Sequence, residues 1–138
     1  MNVLIGDVLF TPFTPKQNSA LSAAPLSAAQ YWFYANISAT TSLVDGHFSN
    51  GAIVPAWAQL DWVLKLLAES FDSPTNVYRY KITRCKFIDR IPAPLTVSLM
   101  IVPSKTKERQ GVFTIATWAP EFFTERTESI FTSGVYHF

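Results

Sequence analysis

The chain has 138 residues, the size of one domain with its own core, and a formal net charge of +1. With 49% apolar and 15% charged residues it does not have the composition of a disordered chain, and no run reaches the roughly 18 apolar residues of a membrane helix. The single cysteine, Cys85, excludes an intrachain disulfide framework and cannot build a metal site alone.

In chain order, Val3 to Phe10 is predicted to form a short strand. The following residues to position 30, with Pro12, Pro15 and Pro25 among serines and alanines, read as loop with one weak helical turn near Ala20 to Ala24. Tyr31 to Ser38 alternates bulky with smaller or polar residues and reads as a strand. Thr41 to Ile53 is a loop containing Gly46 and Gly51. Pro55 then opens a helix that runs to Phe71 and is ended by Ser73-Pro74, because proline is tolerated in a first helical turn and not in the interior.

On that helix Trp57, Leu60, Leu64, Leu67 and Phe71 mark one face, and Trp62, Val63 and Leu66 cover much of another. Gln59, Asp61, Lys65 and Glu69 are the polar minority. A helix so apolar is expected to be wrapped by other structure. Asn76 to Phe87, Pro94 to Val102, Gly111 to Trp118 and Ser129 to Phe138 then read as four strands, whose short links favour antiparallel neighbours. The order predicts a single α+β domain over residues 1–138, a curved antiparallel sheet wrapped around one long central helix. So aromatic a chain is also expected to form an oligomer.

Charge is uneven along the chain. Of 11 basic residues, eight fall between Arg79 and Arg109, opposed there only by Asp89 and Glu108. Solvated strand faces are the plain reading of this surplus, and an acidic or phosphate-bearing partner is the functional one. No nucleic-acid motif, phosphate-cradling glycine loop or metal-ligand cluster is present, so neither nucleic acid nor metal is expected. Cys85 reads as a packed strand residue, His137 as incidental, and Trp32, Trp57, Trp62 and Trp118 as core and interface. Met1 to Asp7 lacks a basic stretch followed by a long apolar run, so no signal peptide, no membrane attachment and a cytoplasmic setting are expected.

Two side chains stand out for chemistry. His47 lies in the glycine-containing loop, and Asp61, fourteen residues later, lies on the apolar helix. Taken singly, the histidine has an ordinary structural reading, and Asp61 can pair with Lys65 one turn on. Together, an imidazole and a carboxylic acid against apolar surface are the groups of general acid–base catalysis.

The run Gly46-His47-Phe48-Ser49-Asn50-Gly51-Ala52-Ile53-Val54-Pro55-Ala56, with Asp61 beyond it, resembles the signature of the hotdog-fold 3-hydroxyacyl-[acyl-carrier-protein] dehydratases. That pattern is G-H-F-P-x-x-P-x-x-P-G with an acidic residue fourteen positions after the histidine. Gln59-Leu60-Asp61-Trp62 is similar to the sub-group serving aryl-polyene and type II polyketide pathways, and Lys86-Phe87 to a Lys-Phe pair frequent in the family. The resemblance implies dehydration of a 3-hydroxyacyl thioester to a trans-2-enoyl thioester. His47 is then the base at C2 and Asp61 the acid at the C3 hydroxyl, with its pKa raised by burial. Backbone N–H groups of Ala56 or Trp57 polarise the thioester carbonyl. Phe48, Pro55, Ala56 and Trp57 belong to the substrate site.

No cofactor is implied beyond the phosphopantetheine arm of the acyl carrier protein. That acidic partner is expected to dock on Arg79, Lys81, Arg84, Lys86 and Arg90. The resemblance also implies a dimer with each site shared between two chains. Ser49 and Ala52 replace prolines of the pattern, which loosens the loop. Ala56 replaces a glycine, and its methyl crowds the thioester and is unfavourable if φ is positive there. A hotdog thioesterase, or a weakly catalytic subunit of a dehydratase heterodimer, are the alternative readings.

Overall fold

A computed structural model of the chain describes residues 2–13, 31–38, 40–41, 53–71, 79–117 and 130–138. In it Gly6 splits the first predicted strand in two. Gly6 has φ of 62°, Asp7 does not share a positive φ, and Ile5 pairs with Val8. This is the geometry of a type II′ two-residue hairpin, which needs glycine at its first central position. The result is β1 (Val3–Ile5) and β2 (Val8–Pro12), where one strand over Val3 to Phe10 is expected.

The remaining elements are β3 (Tyr31–Ile37), α1 (Ala56–Phe71), β4 (Lys81–Phe87), β5 (Leu95–Pro103), β6 (Gln110–Thr117) and β7 (Ile130–His137). All seven strands form one antiparallel sheet of order β1-β2-β3-β5-β6-β7-β4. The architecture is α+β and dominated by sheet, with α1 its helix among the described residues. The predicted turn near Ala20 to Ala24 and the Ser73-Pro74 stop lie outside the described residues.

One pairing differs from the expectation of consecutive neighbours. β4 lies beside β7 at the sheet edge, and not beside β5. The segment after β4 is no tight turn. Ile88 and Asp89 donate their N–H groups to the carbonyl of Phe131, at 2.8 and 3.1 Å, and the Ile91 carbonyl accepts from Val54 at 2.9 Å. The chain thus crosses past the start of the helix before it enters β5.

The period-2 pattern of the strands places Phe33, Leu99 and Ile115 in one buried row across β3, β5 and β6. Against this face α1 lays Ala58, Trp62, Val63, Leu66 and Leu67, all essentially without solvent contact. Each large aliphatic among them contributes roughly 1.5–3 kcal/mol by burial. Trp62 meets Phe10 edge-on at 5.3 Å, and Phe71 meets Tyr31 at 4.8 Å and stacks on Phe138 at 6.1 Å. The helix is not wrapped all round. Trp57 is 54% exposed, and Leu60, Asp61 and Leu64 are half-buried, because no described strand crosses that side.

At the end of the helix, Tyr136 is fully buried, and desolvation, then Tyr31 and Tyr80 beside it, push its hydroxyl up to about 12. Its ring lies over Gly111, where an added Cβ would overlap the phenol. Gly111→Ala should therefore destabilise the protein by about 1–3 kcal/mol, as overpacking does, measured by urea unfolding. An unchanged midpoint would show that the ring has another place to go.

Candidate active site

Proline has no N–H, so the Val54–Pro55 peptide can be held only through its carbonyl. Gln59 holds it, its Nε2 donating to the Val54 carbonyl at 3.3 Å. The flanking chain is tied by the Val54 N–H to Ile91 and by an antiparallel bridge between Ile53 and Pro92. Pro55 is the cap of α1 and not its first helical residue, since its carbonyl accepts from the N–H groups of Ala58 and Gln59 at 3.1 and 3.3 Å.

A cleft of about 250 Å³ opens over this helix start. It is lined by Ile53, Val54, Pro55 and Ala56 at the helix start, by Phe87, Asp89 and Arg90 at and after the end of β4, and by the buried Gln59. The N–H of Ala56, in the first helical position, has no acceptor within the helix, and the positive end of the helix dipole lies here. No acidic side chain stands in the first turn to compete for it. Ala56 carries no positive φ, so the expected strain at this glycine-to-alanine departure is absent. Asp89 accepts the Arg90 N–H at its own Oδ1, 2.8 Å away.

Asp61 departs from its expected setting. Its carboxylate is 3.0 Å from Lys65 Nζ, and its side chain is 38% exposed, so the chain by itself does not bury it. It lies two residues past Gln59, about 200° round the helix, and does not line the cleft. It shares instead the uncovered stripe of Trp57, Leu60 and Leu64. His47 and Phe48 lie outside the described residues. The chain thus brings together Pro55, Ala56, Gln59, Phe87 and Arg90, and leaves Asp61 and Trp57 on another side of the same helix.

The basic side chains Arg79, Lys81, Arg84, Lys86 and Arg90 are all exposed along and beside the edge strand β4. Arg84 has φ of 50° where the pairing with β7 slips between Thr83 and Lys86. Cys85 is half-buried there, and desolvation pushes its thiol up, against a role as thiolate. His137 is not incidental, since its Nε2 lies 2.7 Å from Thr83 Oγ1 and ties β7 to β4.

Gln59 is a site residue that the motif does not single out. Its signal is its register with Val63 and Leu66, four and seven residues on, which turns an amide toward the core.

An antiparallel sheet with one helix among the described residues fits a hotdog-like arrangement. The family model described as ApeI-like, the ApeI dehydratase, matches residues 24–126, and the chain belongs to this dehydratase family. No curated protein matches the chain. Two of the solved structures that share its fold illustrate the likeness. One is an uncharacterised protein from Erwinia carotovora subsp. atroseptica, 21% identical, with a TM-score of 0.56, covering 78% of this chain and 81% of that one. The other is from the ApeI:P dehydratase heterocomplex of Xenorhabdus doucetiae, 16% identical, with a TM-score of 0.59, covering 92% and 95%.

Proposed function

We propose that the protein dehydrates 3-hydroxyacyl groups carried on acyl carrier protein, releasing trans-2-enoyl thioesters in a polyene, polyketide or fatty-acid pathway. The observation that carries this reading is the family match, which spans the motif from Gly46 to Asp61. The cleft at the helix start supports a thioester site at Pro55 and Ala56. Closure of the sheet around α1 as a central helix belongs to the same reading.

His47 removes the C2 proton, and the electron pair of that C–H bond becomes the C2–C3 double bond. The C3–O bond breaks as Asp61 delivers a proton, so the hydroxyl leaves as water. Charge that gathers on the thioester oxygen during proton removal is met by the Ala56 N–H at the positive end of the helix. No group beyond the phosphopantetheine arm takes part.

An elimination site is closed to bulk water, which the half-exposed stripe is not. A second chain supplies the cover. Its seat is the stripe of Trp57, Leu60, Asp61 and Leu64, so that His47 of one chain works with Asp61 of the other. The second chain is a copy of this one or a related hotdog subunit, as the heterocomplex of the Xenorhabdus relative supports. The assembly works in the cytoplasm.

The test is mass spectrometry of acyl carrier protein loaded with 3-hydroxyacyl groups. Wild type should remove one water per acyl group, and His47→Ala and Asp61→Ala should each lower the rate by at least about 10²-fold. Full activity in either variant would overturn the mechanism, and release of free carrier thiol would make the protein a thioesterase.

Carrier docking on β4 is a separate expectation. Arg84→Glu with Lys86→Glu should raise KM for the carrier-bound substrate on the order of tenfold, and leave a small thioester mimic unaffected. Equal effects on both substrates would remove the docking role.

A further inference from the structure

We infer that Gln59 is a positioning residue for the thioester site, with Thr132 as the group that sets its amide. The inference rests on the proposed dehydration. Gln59 is 3% exposed on a helix face otherwise built from Ala58, Trp62, Val63 and Leu66. An amide buried among such neighbours costs free energy unless both of its ends are hydrogen-bonded. Both are. Nε2 donates to the Val54 carbonyl, and Oε1 accepts from the hydroxyl of Thr132, itself fully buried on β7. The Val54 carbonyl can only accept, so Nε2 must face it, and Oε1 is left for Thr132.

Stability alone does not ask for this arrangement. Apolar side chains of the same shape at both positions are close to neutral in such pairs. What the amide adds is a fixed distance between three parts of the cleft. It joins the Val54–Pro55 peptide, which offers no other handle, to the body of α1 and to β7. On β7, Thr132 stands in register with Phe87 of β4, which also lines the cleft. The Gln59 amide therefore sets where the Ala56 N–H lies relative to the Phe87 wall. Rates of such steps fall steeply when a donor moves by a fraction of its hydrogen-bond length.

The test uses the full chain, purified with any subunit that accompanies it, and a small 3-hydroxyacyl thioester. Gln59→Leu and Thr132→Val should each lower kcat by about 10- to 100-fold, with KM within about threefold, in protein still folded at the assay temperature, although each leaves a buried polar partner unpaired and so lowers the thermal midpoint. Thr132→Ser, which keeps the donor, should recover most of what Thr132→Val loses. Unchanged kcat in Gln59→Leu and Thr132→Val overturns the inference. So does a loss that follows unfolding and is no smaller in Thr132→Ser. If Gln59→Leu fails to fold, the Val and Ser variants at Thr132 decide alone. A wild type that removes no water overturns the dehydratase reading itself. An active wild type with an unaffected Gln59→Leu overturns only the role given to the amide.

Discussion

The first turn of α1 carries backbone N–H groups that no carbonyl of the helix can accept, and the fold holds that turn in place without covering it. Everything around it follows from that requirement. Pro55 caps the helix but removes the nitrogen through which the preceding peptide would ordinarily be tied. The tie passes instead to carbonyls and to neighbouring chain. Val54 is held by Ile91, Ile53 by Pro92, and the Val54 carbonyl by Gln59. The link that follows β4 supplies two of these partners, which is why it runs past the helix start and does not close a hairpin with β5.

The same helix has two characters. Its inward side, from Ala58 through Trp62, Leu66 and Leu67, is packed to near-zero exposure and joins the sheet through Phe10, Tyr31 and the aromatic end at Tyr136 and Phe138. Its other side presents Trp57, Leu60, Asp61 and Leu64, with Lys65 as a polar partner for the carboxylate. In a single chain this is a half-solvated stripe with an ordinary ion pair of small energetic weight. Its meaning for catalysis depends on what covers it.

Much of this was legible in the sequence. Period-2 alternation gave β3, β5, β6 and β7 to within a residue or two, and Pro55 marked the helix start. The motif from Gly46 to Asp61 pointed to the family. What alternation does not carry is the partner of each strand, so β4 was expected beside β5. The Gly6-Asp7 turn is hidden in the sequence because the residues on both sides of it are apolar and read as one strand. A helix apolar almost all round predicts a buried Asp61, but composition does not say which side a sheet will cover. Gln59 belongs by residue type to the polar minority, although its spacing to Val63 and Leu66 turns it inward. Its partner Thr132 lies 73 residues away, and no local pattern joins the two.

The claim on which the mechanism turns is that His47 and Asp61 act across two chains. Mixing inactive His47→Ala protein with inactive Asp61→Ala protein, under conditions that exchange subunits, tests it directly. In a mixed pair one site holds both groups and the other holds neither. Half of all pairs are then mixed, and the account predicts recovery to about one quarter of wild-type dehydration. A mixture as inactive as its two components would contradict the shared site.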